Sequence, residues 1–117
     1  NLEEIVAASD GILVARGDLG TSIPLQEIPA EQLRAARAAR AAGKPLILAT
    51  QILQSMISRP APTRAELSDI TLAVMEGFDW LLLTGETAQG QYPRECVEIL
   101  DKTIRNAENN NLRCLIS

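Results

Sequence analysis

The sequence predicts an open α/β sector made of three parallel βα units. Four-residue apolar runs recur at Ile12–Ala15, Leu46–Ala49 and Trp80–Leu83. Each run gives way to a polar residue, and these residues, Arg16, Thr50 and Thr84, stand 34 positions apart. A helical pattern punctuated by Pro and Gly follows each run. Helix-pair repeats share that period, but a short apolar run bounded by polar, Gly or Pro residues marks a strand, so βα units fit better. Three strands do not close a fold. An eight-stranded (β/α)8 barrel takes about 250 residues, and a three-strand cut leaves apolar edges unpaired. Residues 1–117 therefore read as a single partial domain, a sector of a barrel or of an open doubly wound sheet.

In order, Leu2, Ile5 and Val6 mark the end of a helix closing at Asp10-Gly11. Ile12–Ala15 lacks polar alternation, which predicts a strand buried on both faces. Arg16–Gly20 is predicted as a polar turn in which Arg16 could pair with Asp18. Pro29 sits where a first helical turn tolerates proline, opening a helix to Ala42 with Glu31 near its start. Its many alanines allow close packing, and Gly43 is placed as a left-handed cap. After the second strand, Pro60 and Pro62 break the chain. Thr63-Arg-Ala-Glu66 is a capping-box pattern opening a helix with Leu67, Ile70 and Val74 on one side. Gly77 closes that helix. The third strand ends at Thr84-Gly85-Glu86, and Pro93 begins a last helix with a stripe at Val97, Leu100, Ile104 and Ala107. Asn109-Asn110-Asn111 ends it, leaving 109–117 as an irregular tail.

Composition bounds the function. The chain has 46% apolar and 22% charged residues, ordinary for a soluble globular domain. A net charge of −4 with no basic cluster argues against nucleic acid or an anionic membrane as partner. No apolar run approaches the roughly 18–20 residues of a membrane span. The start at Asn1, with no Met and no signal-like segment, is expected to be an internal point of a longer protein. With no histidine and only Cys96 and Cys114, the chain cannot supply about four zinc ligands or an imidazole base for a thiol nucleophile. Free thiols in a cytoplasmic protein are expected rather than a disulfide. Any metal chemistry must use carboxylates, which favours Mg²⁺ or Mn²⁺.

The register places Gly17-Asp18, Thr50-Gln51 and Thr84–Glu86 on one rim, at the strand ends where parallel α/β folds do their chemistry. Asp18 and Glu86 are the carboxylates just beyond the first and third strands. Two carboxylates can hold Mg²⁺ if substrate and water complete its octahedron. Gly17 lets backbone N–H groups approach an anion closely, and Thr50 offers a hydroxyl where charge could develop. Plainer readings stand beside these: Asp18 as a turn residue, Thr50 as a strand-end hydrogen bond, Glu86 as a helix-start charge. The shared register favours the functional reading for the set. Gly85-Glu-Thr-Ala-Gln-Gly90 is not a Gly-x-x-x-x-Gly-Lys phosphate loop, although its glycines could line a phosphate-bearing ligand.

With these residues laid out, the chain resembles the pyruvate kinase family. The matching stretches are Val14-Ala-Arg-Gly-Asp-Leu-Gly20, Gly43-Lys-Pro45, Ala49-Thr-Gln51, Ser55-Met-Ile57, Arg59-Pro60, Pro62-Thr-Arg-Ala-Glu66 and Gly85-Glu-Thr-Ala-Gln-Gly90. They follow the family's order and spacing from about Leu2 to Ala107. The resemblance implies the last three strands of a TIM (β/α)8 barrel. It implies phosphoryl transfer from phosphoenolpyruvate to ADP, giving pyruvate and ATP in glycolysis, with Mg²⁺ (or Mn²⁺) and K⁺. It makes Asp18 a divalent-metal ligand, with Gly17 and Asp18 N–H groups on the substrate carboxylate. Thr50 would contact the substrate near the carbon that is protonated, and Thr84 would serve a proton relay. Arg16 would orient by ion pairing, Glu86 would support the rim, and Arg64 would lie near a subunit interface of a homotetramer.

Some positions depart from the family pattern. Thr84 stands where Ser is common, Ile52 where Met is usual and Leu67 where Gly or Val is frequent; 109–117 do not match. The family's Lys and the second metal-ligand Glu lie upstream of Asn1, and neither Lys44 nor Lys102 is placed to substitute. The K⁺ ligands and nucleotide-covering domain are absent too, so the isolated chain is expected to show no turnover. A Mg²⁺-dependent lyase or aldolase on a similar barrel, and a degenerate fragment acting only as an interaction module, are the alternatives.

Overall fold

The computed structural model describes all 117 residues, Asn1–Ser117. The elements are α1 (Leu2–Ala8), β1 (Ile12–Ala15), α2 (Arg16–Ser22), α3 (Ile28–Ala41), β2 (Leu46–Ala49), α4 (Arg64–Glu76), β3 (Trp80–Leu82), α5 (Gly85–Ala88) and α6 (Pro93–Asn109). Short 3₁₀ turns precede α3 and follow β2. The strands form one parallel sheet in the order β1-β2-β3. Val14 pairs with Leu48 and Leu48 with Leu81, while Leu13 pairs with Ile47 and Ile47 with Trp80. Ala15, Ala49 and Leu82 end in register, so the segments that follow emerge on one rim.

Strand side chains alternate between faces, and only one face is covered. Val14, Leu46 and Leu48 bury against Ala36 and Ala39 of α3, Ala73 of α4, and Phe78. Ala36 and Ala39 are fully buried; small side chains there let the helix sit close on the strands. The opposite row stays open, with Leu13 51% and Trp80 60% exposed. This corrects the expectation that β1 is buried on both faces: an apolar run specifies two apolar faces, but three strands have helices on one only.

A second core lies under the rim, formed by Ile52, Leu53, Met56, Ile70, Cys96 and Leu100. The α6 stripe is shifted from the expected one. Cys96 is buried and Val97 is 55% exposed, because Cys96, Leu100 and Ile104 at i, i+4 and i+8 share the inward face. Both cysteines are free.

The helix ends follow their chemistry. Gly43 and Gly77 have φ of +67° and +91°, the left-handed geometry that terminates a helix at little steric cost to glycine. Thr63 and Glu66 form a reciprocal capping box. Glu66 also accepts from Ser55 N (2.8 Å) and Ser55 Oγ (2.6 Å), tying α4 to the segment after β2. Burial pushes the Glu66 carboxyl up, but the hydrogen bonds from Ser55 and Thr63 outweigh it and hold its pKa below the ordinary 4.5. Thr63→Ala removes the acceptor for the Glu66 N–H, so it is expected to destabilise by about 1 kcal/mol. A lower denaturant midpoint at unchanged slope would show this.

The tail is docked rather than free. Cys114 N and Ile116 N donate to Val74 O and Met75 O at 3.0 and 3.1 Å, in the last turn of α4, where carbonyls lack the i+4 donor of a helix interior. No helix is long and apolar enough to cross a membrane.

Glu76, at the end of α4, is 2% exposed and accepts from Gln32 Nε2 at 2.6 Å. Burial raises its pKa above 4.5 against the lowering effect of that hydrogen bond. A raised carboxylate contributes stability below its unfolded pKa and loses it as pH rises through the folded value. Glu76→Gln keeps an acceptor for Gln32 without the charge. It is therefore expected to match or exceed wild-type thermal stability at pH 7, with the difference closing as pH falls toward 4.5. A difference that widens on acidification contradicts this.

Candidate active site

The rim is built by the residues following each strand. After β1 the chain enters α2 directly, where a polar turn was expected. Gly17 and Gly20 are poor helix residues, but Leu19 packs on the main core, so tertiary contact overrides propensity. Asp18 lies in the first turn of α2. Its side chain is exposed, and its N–H is a donor that a helix start leaves without an intrahelical acceptor.

After β2, two consecutive non-glycine residues adopt left-handed backbone, Thr50 at φ +68° and Gln51 at φ +58°. A β-branched residue there is strained, at a cost on the order of 1–3 kcal/mol, and persists only where its surroundings hold it. Arg16 supplies the hold. Its Nη2 donates to Thr50 O at 3.2 Å and Gln51 O at 2.9 Å, and its Nη1 pairs with Asp69 Oδ2 of α4 at 2.5 Å. Arg16 thus pairs with Asp69 and not with Asp18, because its side chain turns under the rim, where it is only 11% exposed. Asp69 is a supporting residue that sequence reasoning missed; its place on α4, 53 positions from Arg16, leaves no local signal.

Thr50 Oγ1 accepts the Gly17 N–H at 2.8 Å. The hydroxyl proton thereby remains available to a ligand on the open side of the rim. A Cβ at Gly17 would stand 3.5 Å from Thr50 Oγ1, in ordinary van der Waals contact.

Glu86 is not free for a ligand. It is 1% exposed, with Oε2 accepting Leu53 N at 2.9 Å and Oε1 accepting Thr84 N at 3.0 Å. Burial alone would raise its carboxyl, but the N–H donors of Leu53, Glu86 itself, Thr84 and Ile52 prevail and lower the pKa below 4.5. The structure therefore does not bring Glu86 and Asp18 together as a carboxylate pair. No three His, Cys, Asp or Glu side chains gather to hold a metal ion. Asp18 is an exposed carboxylate with no cluster of further acidic side chains around it. Thr84 is half-buried, and Arg64 is exposed at the first position of α4.

Comparison with known proteins places this rim in context. The family model described as pyruvate kinase, barrel domain, matches residues 1–97. The chain belongs to the pyruvate kinase family. It is 52% identical over 107 residues to a pyruvate kinase of Thermotoga maritima, covering 92% of this chain and 23% of that protein. A pyruvate kinase of Dictyostelium discoideum is 51% identical over 108 residues, covering 92% of this chain and 21% of that protein. The crystal structure of a pyruvate kinase from Cryptosporidium parvum superposes with a TM-score of 0.91 at 44% identity, over 93% of this chain and 22% of that one. The chain thus spans less than a quarter of the length of these pyruvate kinases, and its three strands are a segment of the pyruvate kinase barrel domain.

Proposed function

We propose that this chain contributes one side of the active site of a pyruvate kinase, which transfers a phosphoryl group from phosphoenolpyruvate to ADP and yields pyruvate and ATP. The observation that carries this reading is the Gly17 N–H to Thr50 Oγ1 contact at 2.8 Å, beside an exposed Asp18 on the same rim. It presents a hydroxyl donor, a first-turn N–H and an unpartnered carboxylate together. Phosphoryl transfer depends mainly on such positioning and charge neutralisation.

In this reading Asp18 is the one ligand the segment offers to Mg²⁺ or Mn²⁺, the remaining ligands coming from outside residues 1–117. The cation would neutralise charge on the substrate oxygens. The Asp18 N–H receives the substrate carboxylate, whereas the Gly17 N–H, expected to share that task, is donated to Thr50 Oγ1 and holds that hydroxyl in place. The Thr50 hydroxyl faces the carbon that is protonated once the phosphoryl group has left, and the Thr84 hydroxyl relays a proton toward it. K⁺ ligands and the nucleotide-covering domain also belong to the rest of the protein. Exposed Arg64 is assigned to a contact between subunits of a homotetramer, near the site. The setting is cytoplasmic glycolysis.

The test is a coupled assay on the full-length protein containing this chain, with phosphoenolpyruvate and Mg²⁺, in the presence and absence of ADP. Pyruvate formation that requires ADP and yields equal ATP supports the reading. Pyruvate release without nucleotide would assign the site to a lyase instead. The isolated 117-residue chain is expected to show no turnover in the same assay.

A further inference from the structure

Glu86 has no cationic partner. It is 1% exposed, and its carboxylate is held by backbone N–H groups, among them those of Ile52 and Leu53, whose side chains belong to the second apolar core. Burying an ionised carboxylate without a counter-ion is expensive. Here the two oxygens reach two different segments: Oε2 takes Leu53 N, three residues beyond Thr50, and Oε1 takes Thr84 N. An amide could not serve both, because its NH₂ would face an N–H donor. The side chain type is thus matched to bridging the segment after β2 and the segment after β3.

From this bridge we infer that Glu86 is a positioning residue, which holds the Thr84 backbone against the segment carrying Thr50 and so sets where the Thr84 hydroxyl stands. The inference rests on the proposed pyruvate kinase reading and deepens it. The carboxylate that the sequence places on the rim acts beneath it, on backbone. Asp18 remains the rim's free acid.

The test compares Glu86→Gln and Glu86→Asp in the full-length protein, each made in wild type and in a Thr84→Val background. Glu86→Gln should lower kcat for pyruvate formation at least tenfold in wild type and less than threefold in Thr84→Val, where the hydroxyl being positioned is already gone. Glu86→Asp keeps both acceptors on a shorter stem and should give a smaller loss with the same dependence on Thr84. Equal fold-losses in the two backgrounds, or losses under threefold in wild type, overturn the inference. So does failure of both variants to fold, which would mark Glu86 as a structural anchor only. A wild-type protein that forms no ATP from phosphoenolpyruvate and ADP removes the functional reading, and the inference with it. An active wild type with background-independent losses removes the inference alone.

Discussion

Asp18→Ala in the full-length protein is expected to reduce Mg²⁺-dependent pyruvate formation by about 10³-fold, with little change in thermal stability. The two halves of that expectation have separate causes. The Asp18 carboxylate is exposed and makes no ion pair or side-chain hydrogen bond within the chain, so the fold loses at most the few tenths of a kcal/mol of an acidic residue near a helix start. In the proposed reading the chemistry loses a metal ligand, and charge stabilisation by a bound cation amounts to several kcal/mol, on the order of 10³-fold in rate. Steady-state kinetics across a Mg²⁺ titration, paired with a thermal melt, separates these outcomes. Activity within tenfold of wild type at saturating Mg²⁺ would remove Asp18 from the metal site.

Arg16→Ala is expected to damage both stability and activity. It leaves Asp69 without its partner and frees the carbonyls of Thr50 and Gln51. Breaking a well-buried pair costs about 3–5 kcal/mol; with Asp69 28% exposed, about 2–3 kcal/mol is expected here. The strained left-handed pair then has less to hold it, and relaxation of Thr50 moves its hydroxyl. A displacement near 1 Å at a reacting group costs roughly 10²-fold. Arg16→Lys should recover only part of this, because one ammonium cannot reproduce the planar fork that reaches Asp69 and two carbonyls together. Urea unfolding and kcat measured on all three proteins check it; full activity in Arg16→Lys would show that charge alone suffices.

These expectations draw on different amounts of sequence and structure. β1, β2, the Gly43 and Gly77 caps and the Thr63–Glu66 capping box were legible as local patterns, because each depends on residues within a few positions of one another. The 34-residue register brought Asp18, Thr50 and Thr84 to one rim for a similar reason: strand ends follow from counting. Glu86 was legible as a supporting residue beyond the third strand, but the groups it holds were not. Whether a carboxylate faces solvent or turns under a loop depends on Leu53, 33 positions away. Leu13 and Val97 were misplaced because apolar content does not say which side of an element another element covers.

By itself, the sequence determined the three strands and the longer helices, their parallel order, the family, and the placing of Asp18, Thr50 and Thr84 at the strand ends. Period, cap chemistry and motif spacing are properties of the chain alone. Only the tertiary structure decided that Arg16 answers to Asp69, that Thr50 and Gln51 are held left-handed, and that Glu86 binds backbone beneath the site while Asp18 stays free above it. Those outcomes depend on partners brought together by folding. Left-handed strain at Thr50, and a buried carboxylate without a counter-ion at Glu86, persist only where a packed environment supplies the compensating hydrogen bonds.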